Sequence, residues 1–78
     1  MPFWEEINSA RSNVGKFRYW QDVQVVQVRY HHSSAIFNYF PVNSDMWKQI
    51  LQAEDRAATI NTLLRKNRDL QTWKYYYQ

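Results

Sequence analysis

The sequence predicts a small α+β domain: a three-stranded antiparallel meander with two C-terminal helices packed on one face. Three stretches carry that prediction. Val26, Val28 and Tyr30 alternate with Gln27 and Arg29, the period of two that suits a half-buried strand. Ala35-Ile36-Phe37-Asn38-Tyr39-Phe40 is rich in aromatic and β-branched types and stops at Pro41. From Met46 to Leu64 apolar residues return at helical spacing.

The elements follow in chain order. Residues 1–11 read as a short helix or an extended arm. Phe3, Trp4 and Ile7 fit one helical turn and Glu5-Glu6 suit a helix start, while an arm would lay Trp4 against the domain. Val14 to Trp20 is the first strand, with Phe17 and Tyr19 on one face and Lys16, Arg18 and Trp20 on the other. Gly15, the single glycine, marks a bulge or close packing. Gln21-Asp22 is a turn. His31-His32-Ser33-Ser34 has the length of a hairpin loop, and the pairing it implies puts Val26, Val28 and Tyr30 on the face of Phe37 and Tyr39 or their immediate neighbours, a one-residue slip reversing the faces.

Asn43 or Ser44 caps the first helix, with Asp45 in its first turn. Met46, Trp47, Ile50 and Leu51 form its stripe. The phase breaks near Glu54-Asp55-Arg56, and Asp55 caps a second helix bearing Ala57, Ile60, Leu63 and Leu64. In residues 68–78, Leu70 and Trp73 fit a continued helical stripe, whereas Tyr75-Tyr76-Tyr77 suits an extended end. The expected core is Phe17, Val26, Val28, Phe37, Tyr39, Trp47, Ile50, Leu51, Ile60 and Leu64.

The order of these residues resembles a known family. Phe37, Tyr39, Val42, Trp47, Ala53, Asn61, Leu64 and Arg65 are similar to the pattern of the KTSC domain, and Ser12-Asn13-Val14 with Tyr19 fits its opening strand. That module is found alone in phage and bacterial proteins and at the C-terminus of some lysyl-tRNA synthetases. The resemblance covers Ser12 to Asn67. It departs where the family often has glycine, in the hairpin and between the helices, places held here by Ser33-Ser34 and Ala57-Ala58. The resemblance implies the fold and, through the association with tRNA synthetases, nucleic-acid binding.

With 78 residues, residues 1–78 are expected to form one domain, with core 12–67, arm 1–11 and aromatic tail 68–78. A chain this short buries only about 60 % of its unfolded surface. The absence of cysteine excludes a disulfide scaffold and thiolate metal sites and fits a reducing, cytoplasmic compartment. Four Trp, six Tyr and four Phe supply the bulk that aliphatic residues would otherwise provide. No apolar run is long enough for a membrane span, and the N-terminus does not read as a signal peptide.

Enzyme chemistry finds no residue set. The serines lack a nucleophile-elbow context, Glu5-Glu6 and Glu54-Asp55 are explained by helix starts and turns, and one glycine cannot build a phosphate-cradling loop. His31-His32 is a weak metal candidate: neighbours on a strand point apart, and no carboxylate lies near them in sequence. The expectation is a non-enzymatic module with no metal and no cofactor.

Charge is uneven. From Arg56 to Gln78, Arg56, Arg65, Lys66, Arg68 and Lys74 oppose the single acid Asp69. The first 55 residues hold five bases and six acids. Such asymmetry suits a polyanionic partner as well as an ordinary solvated helix face. Two surfaces combine cations with rings. One is the outer sheet face, with Lys16, Arg18, Trp20 and Arg29 beside Gln27 and Asn38. The other comprises Arg65, Lys66, Arg68 and Lys74 with Trp73, Tyr75, Tyr76 and Tyr77. Both suit RNA or single-stranded DNA. The alternative is a phage-type factor or inhibitor docking on a host protein, because Tyr, Trp and Arg also dominate protein hot spots. The outer sheet face, being polar, is expected to need no cover. The tail is then expected along an edge or against another molecule, with a homodimer as one outcome, the competing reading being a tail that packs across the domain and completes its core.

Overall fold

A computed structural model describes residues 1–9 and 11–76. The elements are β1 (Glu5–Glu6), β2 (Val14–Trp20), β3 (Val25–Tyr30), β4 (Ala35–Phe40), α1 (Ser44–Gln52), α2 (Arg56–Ile60), a π-helical turn (Asn61–Arg65) and β5 (Gln71–Tyr76). All five strands form one antiparallel sheet in the order β1-β2-β3-β4-β5.

This corrects the predicted architecture. The sheet has five strands, not three, and the two helices are not C-terminal but lie between β4 and β5. Both extra strands come from segments read as appendages. The arm pairs Glu5 with Phe17 and Glu6 with Lys16. The tail pairs along the whole of β4, from Phe40 opposite Gln71 to Ala35 opposite Tyr76. The β4 edge would otherwise leave a row of backbone groups unpaired, and β5 satisfies them.

Local chemistry accounts for the joints. The register of β2 on β3 shifts between Val14 and Lys16, which makes Gly15 a bulge. A side chain there would meet His31 Nδ1 at 3.2 Å. Asn43 Oδ1 caps α1 by accepting from the Met46 amide at 2.9 Å, and Asp55 Oδ1 caps α2 by accepting from Ala58 at 2.9 Å. The α1–α2 break is held by Arg56, whose guanidinium donates to the Leu51 carbonyl. Asn13 and Asn61 exchange side-chain amide hydrogen bonds at 3.1 Å in both directions, and Arg65 Nε donates to Asn61 Oδ1.

One sheet face carries the helices. Val14, Phe17, Val26, Val28, Ile50, Ile60 and Leu64 are buried there, with Val42 closing one end. Phe37, Trp47 and Leu51, expected in the core, are only half-buried and pack against it. Trp47 lies at the margin, stacked on Tyr19 with ring centroids 5.0 Å apart and edge-on to Phe17 at 5.5 Å. The phenols of this face are also tied down. Tyr19 donates to the Val42 carbonyl at 2.6 Å, and the Tyr30 and Tyr39 hydroxyls meet at 2.7 Å. Among the described residues no helix is long and apolar enough to cross a membrane.

Candidate functional site

The opposite sheet face has no helix over it, yet it is not a solvated polar surface. Arg18, Gln27 and Asn38 stand side by side on β2, β3 and β4, and each is at least nine-tenths buried. Beside them Ile36 is 2 % exposed. A row of polar side chains can be sequestered this way only if its hydrogen bonds are made within the row.

Gln27 makes most of them. Its Oε1 accepts from Arg18 Nε at 2.7 Å and from Trp20 Nε1 at 2.8 Å. Its Nε2 donates to Asn38 Oδ1 and to the Tyr75 hydroxyl, each at 2.9 Å. The side-chain amide thus uses its full capacity of two acceptor and two donor bonds. Asn38 Nδ2 extends the chain to the Trp73 carbonyl at 3.3 Å. The network therefore spans β2 to β5 and fixes the final strand from the outer side.

Aromatic rings frame this polar row. Trp4, one residue before β1, faces the Arg18 guanidinium at 4.1 Å and Lys16 Nζ at 4.8 Å. Trp20 faces Arg18 from 5.2 Å. Such contacts hold cations at ring faces without removing their positive charge. On the far side Trp73 and Tyr75 remain 46 % and 45 % exposed. The result is a platform of rings around a rigid polar floor, with Lys16 and Arg18 at one end.

The structure redistributes the residues singled out by sequence. Lys16, Arg18, Trp20 and Arg29 share the outer face, and Trp73 and Tyr75 of the tail join them. The expected second surface is split, because successive residues of a strand point to opposite faces. Lys74 lies on the helix side of β5, with Nζ 5.6 Å from the Phe37 ring and 5.9 Å from that of Tyr76. Arg65 closes the π-helical turn, and Lys66 and Arg68 are exposed in the connection to β5. Tyr77 lies outside the described residues. Trp4 is a member of this face that the sequence does not mark, because nothing in its local pattern distinguishes a ring on an arm from one in a helical turn.

A second cluster sits under the helices. Burial raises the Tyr30 phenol above its ordinary 10.0, and the hydrogen bond it shares with Tyr39 adds to this. Burial likewise raises Tyr39, against a smaller lowering by Tyr30 and by the nearby Arg65 charge. Burial also raises Tyr19. These phenols stay protonated and act as structural hydrogen-bonding groups at neutral pH. The chain matches no family model and no curated protein.

Proposed function

We propose that the protein is a non-enzymatic module that binds single-stranded nucleic acid, RNA or DNA, across the outer face of its sheet, in the cytoplasm. The observation that carries this reading is the convergence on one face of Lys16 with the half-exposed Trp73 and Tyr75, beside Trp4 and Trp20 set around the buried Arg18 guanidinium. Bases present π faces that stack on exposed rings regardless of sequence, and the backbone is drawn to neighbouring cations. The floor beneath is held by Gln27, so the rings are set before a strand arrives and less order is lost on binding. The resemblance to KTSC domains, some of which accompany tRNA synthetases, supports the same class of partner, as does the positive net charge of +3.

The face offers few cations, so the salt dependence should be shallow. Two or three phosphate contacts predict a slope of log K against log salt of roughly −1.4 to −2.1 for a single strand. Labelled single-stranded RNA and DNA titrated at low and moderate salt should quench tryptophan emission with that slope. Trp73→Ala should weaken binding by about 1–3 kcal/mol, the worth of one stacked base. Absence of binding at low salt, or binding indifferent to Trp73→Ala and Lys16→Gln together, removes the proposal. Capture of a protein partner that survives nuclease treatment, with no affinity for either nucleic acid, would point to the docking-factor reading instead.

A further inference from the structure

We infer that the chain also self-associates through β5, two copies joining antiparallel about a twofold axis that sets Trp73 opposite the partner's Trp73. The inference is independent of nucleic-acid binding and rests on the sheet's free edge.

β5 is the last strand of the sheet, and all six of its residues are exposed. Its outer edge has no neighbouring strand among the described residues. Edge strands are ordinarily guarded by proline, bulges, shortness or inward charges. Gln71-Thr72-Trp73-Lys74-Tyr75-Tyr76 contains no proline and no glycine, and its register with β4 is unbroken. Four of its six residues are Thr, Trp or Tyr, strong strand formers. Lys74, on the helix side, is its single charge and its one such guard.

The register follows from backbone direction and charge. The Trp73 carbonyl accepts from Asn38 and so is turned toward β4. Alternation along an antiparallel strand then turns the backbone groups of Thr72, Lys74 and Tyr76 to the open edge. A twofold axis normal to the sheet keeps outer face with outer face, so Trp73 and Tyr75 meet only residues of their own side. Centring the axis on Trp73 places Thr72 opposite the partner's Lys74 and Gln71 opposite the partner's Tyr75. The Thr72–Lys74 pairs carry the hydrogen bonds, and the two tryptophans form the closer, non-hydrogen-bonded pair. Centring it on Lys74 would oppose two ammonium groups directly. Centring it on Thr72 would leave Lys74, Tyr75 and Tyr76 beyond the partner strand. The other sheet edge, β1, offers only Glu5 and Glu6 and cannot match six residues, so a closed pair is favoured over an open chain of copies.

The test uses the full chain. Sedimentation equilibrium from about 1 μM to about 1 mM should show a monomer–dimer transition. Thr72→Lys sets an introduced cation against each Lys74 and, by symmetry, does so twice. It should raise the dissociation constant about tenfold while the thermal melt of the monomer is retained. Adding Lys74→Glu to that variant should restore association, a rescue that only this register gives. The chain has no native cysteine, so Trp73→Cys should form an intermolecular disulfide under mild oxidation, and Lys74→Cys should do so far less. A monomer at every concentration overturns the inference. So does a dimer that ignores Thr72→Lys and cross-links no better through position 73 than through position 74.

Discussion

On its inner face the sheet meets two helices and buries Phe17, Val26, Val28 and Val14 against Ile50, Ile60 and Leu64. On its outer face it meets no helix, yet Arg18, Gln27, Asn38 and Ile36 are nearly as inaccessible. The two burials differ in kind. Apolar packing is non-directional, so the loss of one member costs its own area and cavity. The outer row is directional, with one amide serving four partners, so the loss of that amide removes bonds to groups on three other strands. The first face supplies stability. The second supplies a fixed arrangement of rings.

Phe17→Ala empties the centre of the inner face and should cost about 3–5 kcal/mol, close to the whole stability of a small domain. A urea midpoint near that of the wild type would mean that the inner face is not the seat of stability. Gln27→Leu keeps the volume but removes the shared amide. It should cost about 1–3 kcal/mol, because Asn38 Oδ1 and Trp20 Nε1 are left in a dry setting. A neutral result would mean that water already substitutes for the network, and the outer face would then be an ordinary wet surface.

The phenols sharpen the inner half of the comparison through pH. In the fold Tyr19, Tyr30 and Tyr39 are raised above 10.0, so the unfolded chain ionises first. Their contribution is complete below about pH 10 and is lost as pH climbs beyond it. Urea midpoints measured from neutral to strongly alkaline pH should therefore fall at the upper end, and Tyr30→Phe should flatten that fall. The smallest effect belongs to the rim. Trp73→Ala should alter stability by no more than about 0.5 kcal/mol, since the ring is half-exposed at an edge. A large loss would make Trp73 a structural element and weaken its assignment to a binding platform.

The elements with local chemical signatures were legible in the sequence. Asn43 and Asp55 announce the helix starts because a capping side chain acts within three residues of itself. The alternation of Phe17 and Tyr19 with Lys16 and Arg18 similarly sorts the two faces of β2. The fifth strand was hidden because Leu63, Leu70 and Trp73 lie at intervals that also fit a helix. The stop between them is a short turn in which Asn67 Oδ1 accepts from the Asp69 amide, with neither glycine nor proline to mark it. Two residues of strand at Glu5-Glu6 are too few to show a period. The outer face misled for a different reason. Arg18, Gln27 and Asn38 look like water-facing residues by type, and only the register shows that they satisfy one another.

The placement of both helices between β4 and β5 has a consequence for biosynthesis. Strands β2, β3 and β4 are joined by short hairpins and can pair as soon as they have left the ribosome. Phe40 must wait for Gln71, and Ala35 for Tyr76, before the free side of β4 is closed. During that interval Ala-Ile-Phe-Asn-Tyr-Phe is an open template of the kind that recruits other chains, and long-range pairing of this sort forms slowly. A nascent chain arrested before Gln71 should therefore be the species most in need of a chaperone.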